Sequence, residues 1–281
     1  TMKSPKIFVL VIFALLIRST SDAQTQTVLD GAYVKEHNPT RKVIAYPYLR
    51  EADVMWTRRV WQNIDIKQKV NQKLYFPITP IANRKSLFEV IQMGLLEQGS
   101  IMAYSPDSDE FLIPYSQKEV DSLLNEKQVK PTMDVNTGET RDTTVIVKMT
   151  PDRIEGYRIK EDWIFDKQRS ERYIRIIGIA PLRRKFSESG EDRGVVPMFW
   201  LHYPECRYLF NNYDVYNTHN VAQEMTFDQL FQMRFFSSYI IKEDNVFDRS
   251  IQDYALGVDR LIESERIKNE FFEIEHDLWH Y

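Results

Sequence analysis

Cysteine is all but missing: Cys206 stands alone in 281 residues, so no disulfide can form within the chain and an apolar core must hold the fold. Glycine is scarce too, at nine residues, about half the usual ~7% share, which argues against glycine-rich phosphate-binding loops. No basic surplus exists. The formal net charge is −4, and nothing electrostatic suggests nucleic acid as a partner. Also absent are the Gly-x-Ser-x-Gly, Walker and His-Glu-x-x-His patterns that mark hydrolases, nucleotide binders and zinc proteases. What is present is 43% apolar, 28% charged and 13% aromatic residues, a folded globular composition that excludes a disordered, collagenous or multi-span membrane chain. The length suits one large or two ordinary domains.

Residues 1–23 read as a secretory signal peptide. Lys3 and Lys6 precede an apolar run from Ile7 to Ile17, and Ser21-Asp22-Ala23 offers small side chains where a signal peptidase needs them. Eleven helical residues reach only ~16 Å, against a hydrocarbon core of ~30 Å, so cleavage before Gln24 is expected rather than retention as an anchor. No cysteine follows that cut closely, so no direct lipid anchor is expected. In a bacterium this address means the periplasm. Residues 24–40 are polar and aperiodic and read as a flexible N-terminal arm.

The remainder, 41–281, reads as an α+β assembly domain, with an antiparallel or mixed sheet in the middle of the chain and helices from its N-terminal and C-terminal parts. Val43 to Leu49 is expected to be a bent edge strand because of Pro47. Glu51 to Ile64 is expected to be a helix, with Trp56, Val60 and Ile64 four apart. Asn83 to Gln98 is a second helix, where Ser86 and Glu89 have capping-box spacing and Gly99 provides a left-handed stop. A hairpin of Ile101–Tyr104 with Glu110–Ile113 follows, and then a helix capped by Ser116 and Glu119 and bearing Val120, Leu123 and Leu124. Residues 127–142 are polar and turn-rich, a loop or a domain seam.

Beyond that point period-two patterns predict strands at Thr143–Met149, at a run with Tyr157, Ile159, Trp163 and Phe165 on one face, at Tyr173–Ala180 and at Val195–Tyr203. Residues 183–194 are expected to be a charged connection. Thr226 and Gln229 make a third capping pair, ahead of a stripe of Phe227, Leu230, Phe231 and Phe235. Ile251, Tyr254, Ala255, Val258, Leu261 and Ile262 fit one buried helical stripe, on which Leu261→Asp is expected to destabilise by several kcal/mol. The stripe resumes at Ile267, Phe271, Ile274 and Leu278.

Candidate chemistry is thin. Cys206 has His202 four residues before it and Glu205 adjacent, the elements of a thiol enzyme, yet a small core residue is the expected role. Glu273, His276 and His280 have helical spacing for metal ligands but lack a second cluster to complete a site. Asp134-x-Asn136-x-Gly138 lacks the later oxygens of a calcium loop and reads as a turn, as do Asp107, Asp109 and Glu110. An enzyme is therefore not expected, and neither cofactor nor metal is. The aromatic residues Tyr46, Tyr48, Trp56 and Trp61 crowd the start of the domain, and Phe271, Phe272, Trp279 and Tyr281 crowd its end. Trp56, Trp61, Phe271, Phe272, Trp279 and Tyr281 are taken as candidate interaction residues, since Trp and Tyr bury much area at little entropy cost.

Several stretches together resemble one family. They are Arg50-Glu51-Ala52-Asp53-Val54-Met55-Trp56, Trp61 through Asp65, Asn83-Arg84-Lys85-Ser86-Leu87-Phe88, Ile176-Ile177-Gly178-Ile179-Ala180-Pro181, Phe199-Trp200 through Pro204-Glu205-Cys206-Arg207, Asp248-Arg249-x-Ile251-x-x-Tyr254, and Glu275-His276-Asp277-Leu278-Trp279. In this order they resemble the GldN or PorN family of gliding motility and type IX secretion. The resemblance implies a periplasmic, non-enzymatic component of a Bacteroidota secretion machine. It further implies a ring-like homo-oligomer, built with an outer-membrane lipoprotein of the GldK or PorK type, that meets the periplasmic region of a GldM or PorM motor subunit. No catalytic or metal-binding residue is implied.

Overall fold

The computed structural model describes residues 41–278 apart from 82–83, 134–139, 188–189, 218–219 and 221–223, with 126–145 and 278 as backbone alone. All of these lie in one compact unit, Asn38–Tyr281. The proposed signal peptide, the 24–40 arm and the Asp134–Gly138 turn lie outside the described residues. In chain order the elements are β1 (Val54–Asp65), α1 (Gln72–Tyr75), α2 (Leu87–Leu96), β2 (Ala103–Tyr104), α3 (Gln117–Leu124), β3 (Asn125–Met133), β4 (Thr140–Lys148), β5 (Ile154–Asp166), β6 (Glu171–Phe186), β7 (Asp192–Pro197), β8 (Trp200–His202), α4 (Tyr203–Phe210), α5 (Phe227–Gln232), β9 (Tyr239–Glu243) and α6 (Asp259–Leu278). The fold is α+β, with an antiparallel central sheet.

The sheet runs β2-β8-β6-β5-β1-β9, with β7 also pairing β6, while β3 and β4 form a separate two-stranded ribbon. Its spine is β5 between β1 and β6. β1 and β5 pair in unbroken register from Trp56↔Phe165 to Asp65↔Gly156. Even-numbered side chains of β1 and odd-numbered ones of β5 therefore share a face. On that face Ile64, Tyr157 and Ile159 join a large apolar cluster under α2–α5, while Val60 and Trp163 join a second cluster under α6. Trp61, Ala180 and Trp200 occupy the opposite face. There Phe111 presses on Gly178 so closely that a Cβ would lie 2.7 Å from its ring, so a side chain at this position in β6 would force the ring to move.

The three capping pairs form as expected. Ser86 with Glu89, Ser116 with Glu119 and Thr226 with Gln229 each close a reciprocal box at a helix start. Gly99 takes φ 59° beyond α2. Tyr173–Ala180 lies within β6 as a strand interior to the sheet. Tyr157, Ile159, Trp163 and Phe165 do share a face. The 101–113 hairpin survives in minimal form, with Ser105 N–H bonded to the Ile113 carbonyl and Tyr115 N–H to that of Ala103.

Other expectations are corrected. Glu51–Ile64 is not a helix: a short turn at Glu51–Asp53 leads into β1. A spacing of four is also two strand repeats, so Trp56, Val60 and Ile64 align on one face of a strand equally well. Residues 43–49 form no strand; their carbonyls are held by side chains instead, Ile44 by Arg207 and Pro47 by Arg175. The 127–142 stretch contributes to the β3–β4 ribbon. Residues 183–194 are largely the paired arms of β6 and β7. Val195–Tyr203 is divided between β7, β8 and the start of α4. Phe235 is half exposed.

The continuous stripe from Ile251 to Ile262 also fails. Gly257 at φ 57° interrupts it, a left-handed conformation that costs side-chain-bearing residues. A single helical turn at Ile251–Asp253 precedes the break and α6 follows it. Ile251 is buried, while Leu261 is 56% exposed. The expected penalty for Leu261→Asp therefore falls away.

Candidate interaction surface

α6 is the element that builds the surface. Its inward side is set by Ile267 and Phe271, both buried, with Ile274 beside them. The Phe271 ring meets Trp56 edge-on at 5.6 Å and Trp163 at 5.2 Å. Ser264 Oγ accepts the Ile240 N–H at 2.8 Å, tying the helix to β9, and Arg172 reaches Glu275 at 2.6 Å. These contacts fix which side faces out. A step of five from Ile262 to Ile267 turns a helix by about 140°, so the apolar residues at its start cannot share the buried side.

Leu261, Ile262 and Phe272 therefore project outward, Phe272 with 67% of its surface open. The segment leading into the helix adds Val246, which is 98% exposed, together with Phe247, Tyr254, Leu256 and Val258. So many exposed large apolar side chains along one stretch of chain mark it as a candidate for a binding role. Charges of both signs surround it: Arg249 lies over the Phe247 ring, and Arg260 and Lys268 are exposed on α6. Arg266 is clamped between Glu263 at 2.8 Å and Glu270 at 3.0 Å, and its hydrogen bond holds the Glu263 carboxyl below the usual range. Glu265 and Glu273 are exposed with no ion pair among the described residues. Ile262, Glu265, Arg266, Asn269, Glu270 and Glu273 line a shallow groove along this side.

The six residues singled out from sequence are dispersed. Trp61 and Phe271 are buried in different clusters, and Trp56 is half-buried against Phe271. Phe272 lies open, and Trp279 and Tyr281 lie outside the described residues. Sequence reading missed this surface because it assigned Tyr254, Val258, Leu261 and Ile262 to a buried stripe beginning at Ile251 and made nothing of Val246, Phe247 or Leu256. The signal was available in Gly257 and in the phase step after Ile262, which together leave one helix with two apolar sides.

Cys206 is 1% exposed within the large cluster, and burial pushes its thiol far above the ordinary range, so the thiolate a nucleophile needs is disfavoured. His202 is engaged elsewhere, its Nδ1 being 3.0 Å from Glu205. His276 and Glu273 are exposed on α6, while His280 lies outside the described residues. Among the described residues no group of three or more His, Cys, Asp or Glu is placed to hold a metal, and no helix is long and apolar enough to cross a membrane.

Three buried polar networks stabilise the body beneath the surface. Glu161, wholly buried, accepts hydrogen bonds from Gln62 at 2.8 Å, Trp163 at 3.1 Å and Arg234 at 2.7 Å. Arg207 pairs with Asp228 at 2.9 Å and also donates to the Ile44 carbonyl at 2.6 Å, pinning the 41–48 segment onto α4 and α5. On the other face Lys160 donates to the Asp109 carbonyl at 2.8 Å beneath Trp61 and Phe111, and burial lowers its pKa. Each ion has partners close by, as buried charges require.

A family model described as gliding motility associated protein GldN matches residues 49–280. No curated protein matches the chain.

Proposed function

Because the chain belongs to the gliding motility associated GldN family, we propose that it is a non-enzymatic structural subunit of the type IX protein secretion and gliding machinery. It works in the periplasm, held near the outer membrane by a lipoprotein of the GldK or PorK type. Copies assemble into a ring that also meets the periplasmic region of a GldM or PorM motor subunit. The observation that carries this reading is the outward apolar surface from Val246 to Phe272, on a domain whose core is otherwise well packed. Such a surface gains stability only when something covers it.

The reading is tested by expressing the chain with its neighbouring lipoprotein gene and imaging the purified material by electron microscopy. Large closed assemblies are expected. A monomer that persists with every envelope neighbour supplied, and that turns over a small molecule, contradicts it. The rival reading, a cysteine-dependent enzyme using Cys206 and His202, is weakened by the burial of the thiol. Cys206→Ala separates the two: a scaffold keeps secretion, whereas a thiol enzyme loses all turnover.

A further inference from the structure

The 41–48 segment lies on the body as a bound peptide would. It forms no strand, and among the described residues no backbone-to-backbone hydrogen bond joins it to the rest. Its carbonyls are met instead by side chains from a seat on β6, α4 and α5. Asn211 donates to the carbonyl of Arg41 at 2.9 Å, Arg207 to that of Ile44 at 2.6 Å and Arg175 to that of Pro47. Tyr46 is the anchor. The Arg207 guanidinium lies 4.1 Å from its ring centre and that of Arg175 5.3 Å, while Gln232 donates to its hydroxyl at 2.8 Å. Arg41 pairs with Asp214 and Glu224. None of these contacts requires that segment and seat belong to the same copy.

Resting on the reading of the chain as a self-assembling subunit, we infer that residues 41–48 are an exchangeable arm, docked on their own copy in the isolated chain and on the same seat of a neighbouring copy in the assembly. Exchange of an identical element replaces each contact by its equal, which makes it a low-cost route to association. The seat also specifies its occupant. Two guanidinium groups over one ring select an aromatic residue, spaced donors select extended backbone, and Asp214 with Glu224 select a cation five residues before the ring. The same segment of any other copy meets all three demands. Release is eased at two points. Arg175 Nε is buried without a hydrogen-bond partner, a costly state that departure of the arm would relieve. The arm joins β1 through a turn at Glu51–Asp53 closed by a backbone bond from Asp53 to Arg50.

Two full-length variants separate arm from seat. The receptor, Arg41→Ala/Tyr46→Ala, carries an arm that no longer holds, so its seat is open. The donor, Arg175→Ala/Gln232→Ala, keeps the arm and spoils the seat. The donor is isotope-labelled, and its cleavage by trypsin at Lys42, an exposed residue, is timed by mass spectrometry. Thermal melting is the folding control, and Tyr46→Ala with Gln232→Ala replaces the pair if a double variant melts early. The donor is expected to be cut at least ~5-fold faster than wild type, and excess receptor to restore most of the protection, because cleavage follows the open population. Excess wild-type chain, its seat filled, is expected to protect far less. A donor cut no faster than wild type overturns the arm, and a donor rate that receptor leaves unchanged overturns the exchange. Equal protection by receptor and wild type also overturns it, since that assigns the effect to contact elsewhere. A chain that forms no large assembly with the lipoprotein while the donor is protected overturns the ring and not the exchange.

Discussion

α2 and α6 are both helices with apolar residues on more than one side, yet they end in opposite circumstances. Eight of the ten residues of α2 are buried, because the sheet lies on one side of it and α4 on another. Gly94 lets α4 approach so closely that a Cβ there would sit 2.4 Å from Leu209. In α6 only the side bearing Ser264, Ile267 and Phe271 is buried, while Leu261, Ile262 and Phe272 stand open. The difference teaches that an apolar side chain in this protein has two destinations. Around α2 it completes the core, and around α6 it extends a surface that nothing among the described residues covers.

That contrast can be broken most severely at Phe88 on α2, which is 1% exposed. Phe88→Ala removes a ring from a filled site and is expected to cost ~3–5 kcal/mol in chemical denaturation. A loss under 1 kcal/mol, far short of that expectation, would mean that the cluster is loosely packed and the contrast unreal. Asp228→Ala comes next. It strands the Arg207 guanidinium, itself buried, and is expected to cost about 3 kcal/mol, with faster proteolysis of the 41–48 segment. Unchanged stability together with an unchanged cleavage rate would refute the idea that this pair anchors the segment.

Leu261→Asp sharpens the comparison from the other side. At an exposed position the change is expected to stay within ~0.5 kcal/mol of wild type. A large drop in melting temperature would show that the start of α6 is buried after all. The smallest effect concerns acid. Lys67 holds the Glu155 carboxyl low by a hydrogen bond, and Arg266 does the same for Glu263. A carboxylate with a depressed folded pKa binds fewer protons folded than unfolded, so its contribution is complete above the ordinary value of 4.5 and is lost as pH falls through the folded value. A modest decline in denaturation midpoint below that pH is expected, reduced in Lys67→Ala. An identical acid profile for that variant would assign the loss elsewhere.

How much was legible in the sequence depended on whether a pattern belongs to one structure only. Ser86 with Glu89, Ser116 with Glu119 and Thr226 with Gln229 placed three helix starts correctly, because the reciprocal bonds of a capping box exist nowhere but at a helix N-terminus. Trp56, Val60 and Ile64 misled because a spacing of four serves helix and strand alike; the neighbours on β5 and β9 decided the outcome. The polar 127–142 and 183–194 stretches hid strand pairings because pairing across ribbons such as β3–β4 and β6–β7 is set by backbone hydrogen bonds, which side-chain polarity does not report. For the candidate surface, Phe272 was found from its aromatic character, but Val246–Ile262 was not. Periodicity identifies an apolar side of a helix and says nothing about whether the same chain covers it.

The central claim is that this protein works through the surface α6 presents to other subunits. Its most direct test is the size, by sedimentation velocity, of the assembly formed with the neighbouring lipoprotein by a Leu261→Asp/Phe272→Asp variant. The account predicts a variant that melts like wild type yet no longer forms the large assembly. A variant that melts like wild type and assembles to full size would contradict it.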